Sequence, residues 1–139
     1  LFRSQKARSL EGGIYPSRDP NLFSASASLI NASDMPYVKS MILKAIEAVK
    51  TGQIDTVALQ ATKERIRYSF AMSMDSPDAI ANAISMYTWV TGDPASLNRS
   101  YEMFEKVTVN DLMRVANKYL RAEVLTIATI SPDEKPTLE

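Results

Sequence analysis

Residues 7–29 read ARSLEGGIYPSRDPNLFSASASL, and the reading of this stretch decides the fold class. Residues 9–15 read as a strand in which Gly12 and Gly13 mark a bulge or a close backbone approach. Pro16-Ser17-Arg18-Asp19-Pro20-Asn21 is turn chemistry: proline presets φ, while Asp and Asn side chains favour local backbone bonds. From Phe23 the chain alternates. Phe23, Ala25, Ala27 and Leu29 fall on one face, and Ser24, Ser26 and Ser28 on the other, which is the period of a strand. Two strands joined by a turn predict a hairpin. Small residues fill most of both faces, so helices are expected on the apolar side.

Helical spacing follows. Ser33 or Asp34 is expected to cap a first helix with Pro36 in its opening turn and an apolar stripe of Val38, Met41, Ile42, Ala45, Ile46 and Val49. Gly52 ends it. Asp55 is expected to cap a second helix. That helix has Leu59, Ile66 and Phe70 on one side and Val57, Ala61, Tyr68 and Met72 on another, so it is expected to pack between neighbours. Ser76-Pro77-Asp78 opens a third, whose stripe is Ile80, Ala83, Ile84, Tyr87 and Val90. Gly92-Asp93-Pro94 breaks it, and a short helix with Leu97, Tyr101 and Phe104 follows. Thr108 and Asp111 form a capping-box pair at the start of the last helix, which buries Leu112, Val115, Ala116, Tyr119 and Leu120. Residues 124–130 read as a closing strand that returns beside the hairpin. Residues 131–139 are a polar exit or linker. The fold class expected is α+β: a mostly antiparallel sheet with helices packed on one face.

Composition narrows the function. The 139 residues, 45% of them hydrophobic, fit one domain with a real core, and the first segment reads as the cut end of a helix. The chain opens on Leu1 and is expected to be a piece of a longer protein. Sixteen basic and 16 acidic residues give a formal net charge of zero, which offers no general attraction to nucleic acid or anionic lipid. No apolar stretch has the length of a membrane span. With no cysteine and no histidine, thiolate nucleophiles, imidazole acid–base chemistry and Cys- or His-ligated metals are excluded within this sequence. No catalytic residue and no metal ligand is assigned to it.

The motifs in their order resemble one family, the zinc metallopeptidases related to pitrilysin, insulysin and the mitochondrial processing peptidase. SRDPNLFSASASL, residues 17–29, resembles the family's Asp-x-x-Leu-Phe strand entry. IDTVALQATKERIRYSFAM, residues 54–72, resembles its helix with a Leu-x-x-x-Lys core. VTGDP and then EKVTVNDLMRVANKYL, residues 105–120, resemble its Val-Thr-x-x-Asp helix ending in Tyr-Leu, the most specific piece of the set. LTIATISP follows as the family's final strand.

The resemblance implies a clam-like peptidase in which each half is an α+β unit, one half carrying zinc on an inverted His-x-x-Glu-His motif with a distal Glu. Residues 1–139 then match one partial domain, the later portion of a half. It implies a non-catalytic portion of a zinc metalloendopeptidase, supplying chamber wall, substrate-binding and interdomain contacts, inactive alone. Zinc would sit in the parent protein or the partner half. Partners would be the other half of the same chain or a partner subunit, together with peptide substrates, and a bacterial periplasm or cell envelope fits the family. The alternative within the family is a non-enzymatic scaffold or assembly subunit.

The resemblance also singles out Arg8 and Tyr15. Many members carry an Arg and a Tyr seven residues apart near this point of the non-catalytic half, where they steady the substrate carbonyl. A second alignment, anchored on Asp19-Pro20-Asn21-Leu22-Phe23, sets Arg8 where the family has the tyrosine and leaves Arg3 as the nearest arginine. Both alignments stay open on the sequence, as does the plainer role of a strand arginine and a half-buried aromatic. Elsewhere, Met72, Met74, Met86 and Met103 read as core filler. Trp89 reads as a core, boundary or partner contact. Lys63, Arg65 and Arg67 read as a solvated helix face, and so do Glu102 and Glu105. Asp75 and Asp78 read as helix-start residues.

Overall fold

The computed structural model describes residues 6–131. It is α+β, a two-stranded antiparallel sheet followed by five α-helices. Strand β1, Ala7–Gly13, pairs with β2, Ser24–Leu29. The register runs from Gly13 opposite Ser24 to Leu10 opposite Ala27 and Ser9 opposite Ser28, then shifts so that Ala7 meets Leu29. The bulge therefore lies at Arg8 and not at the Gly12-Gly13 pair. Neither glycine has a positive φ, and a Cβ on Gly12 would meet only ordinary contacts at 3.7 Å and beyond. The connecting loop is organised by Asn21, whose Nδ2 donates to the Tyr15 carbonyl at 3.4 Å while its Oδ1 accepts from Leu22 N at 2.8 Å.

The helices are α1 Met35–Lys50, α2 Thr56–Ser73, α3 Pro77–Thr91, α4 Ser96–Lys106 and α5 Val109–Tyr119. Three of their starts follow from the expected caps. Asp55 accepts from Val57 N, Ser76 accepts from Ala79 N, and Thr108 with Asp111 completes a reciprocal capping box. Each satisfies backbone donors that the first turn leaves without a partner. Asp34 does otherwise. A 3₁₀ turn, Ala32–Asp34, leads directly into α1, and Asp34 makes no side-chain cap. Its carboxylate instead pairs with Lys6, whose ammonium also lies 5.1 Å from the Tyr37 ring centre. That cluster ties the start of β1 to the start of α1. Gly92 closes α3 in the left-handed conformation at φ 78°.

Packing joins β2 to α1, α1 to α5, and α4 to both α2 and α3. The α1–α5 junction is specific. Gly52 sits at φ 74°, and a Cβ there would come within 2.7 Å of the Met113 Sδ. Asn117 Nδ2 of α5 donates to the Lys50 carbonyl at 2.9 Å, which occupies an acceptor that the end of α1 leaves open. Phe70 of α2 stacks on Tyr101 of α4 with ring centres 3.5 Å apart.

The core is small. Ala7, Val38, Leu97 and Ala116 are its buried apolar residues among those described. The chain exposes 10899 Å², whereas a compact monomer of 139 residues would expose roughly 7200 Å². Several expectations change accordingly. The second side of α2 is not packed: Val57, Tyr68 and Met72 are all exposed. Met72, Met86 and Met103 are exposed and do not fill a core; Trp89, at 62% exposed, has no core role, which leaves its boundary or partner-contact reading open. Residues 124–130 do not form a strand. A 3₁₀ turn, Ala122–Val124, is followed by chain that enters no ladder. A strand exists only through a partner's hydrogen bonds, and no described residue supplies them there. The expected helix end at residues 1–5, Arg3 and the polar exit beyond Ser131 lie outside the described residues.

Candidate functional site

The site begins where β1 leaves the sheet. Gly12 and Gly13 bring the backbone of β1 to the loop end of the hairpin, opposite Ala25 and Ser24. Glu11, Gly12, Gly13, Ile14, Tyr15, Ser24 and Ser26 line a cavity of about 240 Å³ there. It offers one carboxylate, one phenol, two serine hydroxyls and strand backbone. Tyr15 is 75% exposed and Ile14 is also open to solvent. This set can hydrogen-bond an extended backbone or a hydroxyl-rich ligand. It pairs no nucleophile with a base.

Arg8 and Tyr15 are not brought together. Arg8 stands in the bulge of β1 and is absent from the cavity wall, and seven residues of extended chain span roughly 23 Å. Tyr15 is therefore the one of the pair that faces the cavity. A second cavity of about 360 Å³ lies between Arg18 of the hairpin loop and the end of α3, with Thr88, Trp89, Val90, Thr91 and Gly92 on its wall. Among the described residues no three His, Cys, Asp or Glu side chains gather as a metal group would need.

The titratable groups with shifted pKa values belong to helix junctions rather than to either cavity. Asp93 is held below the usual carboxylate range, first by its bond from the Arg99 guanidinium and then by the Ala95 backbone N–H. Around it, Thr91 Oγ1 donates to Ser96 Oγ at 2.8 Å, and Ser96 Oγ donates to the Asp93 carbonyl at 2.6 Å. Ser96 is buried and so is fully used. Asp111 is also held low, by the Thr108 hydroxyl at 2.7 Å, the Thr108 N–H at 3.1 Å and Arg114 at 3.3 Å. Burial raises Tyr101, with Tyr87 adding to it. Because both Asp values are depressed in the folded state, their stabilisation is present above the ordinary value of 3.8 and is lost as pH falls through the lower folded value. Thr108→Ala removes a hydroxyl that both caps α5 and holds Asp111 down. It is expected to cost about 1 kcal/mol and to move the onset of acid unfolding to higher pH. Circular dichroism followed from pH 6 to pH 2 checks both.

Two contacts from α2 to α4 are hidden by its polar look. Lys63 Nζ donates to the Glu105 carbonyl at 2.9 Å, and Arg67 lies 3.8 Å from the Glu105 carboxylate. Lys63 thus closes the end of α4. The signal was available: Lys63 shares the face of Leu59, Ile66 and Phe70, where a solvated lysine has no place. Arg65 keeps the solvated role read from the sequence.

Comparison with known proteins agrees in kind. No family model matches the chain. By sequence it is 23% identical over 100 residues to the beta subunit of the mitochondrial-processing peptidase of Saccharomyces cerevisiae, which covers 72% of this chain and 22% of that protein. By structure it is similar to a protease from Helicobacter pylori, with a TM-score of 0.73, 23% identity, and coverage of 86% of this chain and 29% of that one. The chain therefore spans less than a third of the length of either protein. The structural likeness establishes the fold. The likeness in sequence is to the group that its motifs resemble, and together they mark the chain as related to part of a peptidase.

Proposed function

We propose that this chain is a non-catalytic portion of a zinc metalloendopeptidase, forming chamber wall and contacts to substrate and to the rest of the enzyme. The observation that carries the reading is the combination of a protease fold with apolar faces left open. Val57, Tyr68 and Met72 of α2, together with Trp89 of α3, present large side chains to solvent, which is how a surface made for a neighbouring domain looks when it stands by itself. Sequence chemistry supports the non-catalytic part, since no histidine is present to hold zinc. The metal, and the activated water it would supply, belong in this reading to the parent protein or a partner half.

Within the reading, Tyr15 and the strand backbone at the hairpin loop end are the substrate-facing groups, and Arg8, at the far end of β1, is a separate substrate contact. The test uses the full-length polypeptide. Its peptidase activity is expected to fall on chelation and return with zinc, and Tyr15→Phe is expected to lower peptide turnover without changing the helix content. Full activity in Tyr15→Phe and in Arg8→Ala would leave both as strand residues. A full-length protein and partner with no zinc motif and no hydrolysis would favour the scaffold subunit.

A further inference from the structure

We infer that the Met113 thioether is a peroxide-sensitive latch on the α1–α5 junction, and that its oxidation to the sulfoxide releases α5 from the end of α1. The seat of the sulfur begins with a glycine turn. Gly52 N–H donates to the Val49 carbonyl at 3.2 Å, and Gln53 N–H donates to the Ala48 carbonyl at 2.8 Å. These are the two bonds that a left-handed glycine makes after a helix, and they fix the backbone of the turn. The space beside its bare Cα is filled from α5. A Cβ on Gly52 would stand 2.7 Å from Met113 Sδ, 3.2 Å from its Cε and 3.7 Å from its Cγ. The thioether therefore occupies the place that any other side chain at position 52 would take. One turn further along α5, Asn117 Nδ2 holds the Lys50 carbonyl at 2.9 Å.

The chemistry follows from what the sequence contains. With no cysteine, the methionine thioethers are the sulfur groups left for a hydroperoxide to oxidise. A sulfur lone pair attacks one peroxide oxygen, and an S–O bond forms as the O–O bond breaks. The proton on the attacked oxygen ends on the departing oxygen, which leaves as an alcohol or as water. Sulfur is oxidised by two electrons and the peroxide is reduced by two. Met113 is half-buried, which leaves its sulfur open to a small peroxide while most of it is packed. The sulfoxide is polar where the thioether was apolar. Either its oxygen presses on the Gly52 turn, whose own bonds hold it in place, or the sulfur leaves its seat. Both undo the contact between α5 and α1. Met72, Met86 and Met103 already face solvent, so their oxidation leaves the packing as it was.

The test treats the folded full-length polypeptide with hydrogen peroxide and locates the added oxygens by peptide mass. Amide hydrogen exchange is then followed in peptides covering α5 and α3. Met113 is expected to be oxidised along with the exposed methionines. Exchange in α5 is expected to speed up by about tenfold while α3, which packs on α4, is unchanged. Met113→Leu keeps the volume and removes the thioether, and its α5 is expected to stay slow after the same treatment. Met113→Gln puts a polar group in the seat without any oxidant, and its α5 is expected to exchange fast from the start. Replacing Met72, Met86 and Met103 together by leucine is expected to leave the peroxide response intact. Three results would each overturn the inference: Met113 left as a thioether while the exposed methionines are oxidised, unchanged exchange in α5 once Met113 is a sulfoxide, or the same acceleration in Met113→Leu.

Discussion

Leu97→Ala is expected to remove about 3 kcal/mol of stability, which in this chain is enough to erase most of the cooperative unfolding transition. Leu97 is 7% exposed and sits in the first turn of α4, the helix that packs on both α2 and α3. A domain of ordinary stability, on the order of 5–15 kcal/mol, would survive such a loss. Here the described core has only three other buried apolar residues, so the starting stability lies at the low end and the loss is a large share of it. Urea unfolding followed by far-ultraviolet circular dichroism measures this. Met103→Ala on the same helix is the comparison. Met103 is 61% exposed, so its loss is expected to stay within about 0.5 kcal/mol. Equal losses at the two positions would show that Met103 belongs to a core after all.

Gly52→Val is expected to cost a similar amount, about 3 kcal/mol, through two separable causes. The backbone at φ 74° lies in the left-handed region, which a β-branched residue resists, and the new Cβ would press on Met113 Sδ at 2.7 Å. Gly92 separates the two causes. It has the same backbone conformation at φ 78°, but nothing within 4 Å of an added Cβ. Gly92→Val is therefore expected to lose only the backbone part, about 1–2 kcal/mol. The same urea titration reads both. Losses of equal size would mean that Met113 moves aside and that the α1–α5 junction is soft.

The contrast between those two glycines shows which features a sequence makes legible. Both were readable as helix ends, because a left-handed residue after a helical stripe is a local matter. The caps at Asp55, Ser76 and Thr108 were legible for the same reason: each bond spans two or three residues. Asp34 misled because its choice between a cap and Lys6 depends on a residue 28 positions away. The clamp from Lys63 to Glu105 spans 42 positions: local patterning places Lys63 on the apolar face of α2 but does not name the carbonyl it meets. Residues 124–130 and the outer side of α2 failed for a further reason. Hydrophobic spacing reports that a face is made to be covered, and it names no cover. Val57, Tyr68 and Met72 satisfy the pattern of a packed helix and yet are exposed among the described residues. The site shows the same limit. A spacing of seven residues leaves Arg8 at the far end of β1 from the cavity that Tyr15 lines, and the bulge there, rather than at Gly12-Gly13, depends on the cross-strand register.

One assay bears on the central claim that this chain is peptidase wall and not peptidase centre. The purified 139-residue chain, supplied with zinc, is incubated with a mixture of unstructured peptides, and the products are read by mass spectrometry beside those of the full-length polypeptide. The account predicts no cleavage by the chain alone and chelator-sensitive cleavage by the full-length polypeptide or its complex. Chelator-sensitive cleavage by the chain alone would contradict it.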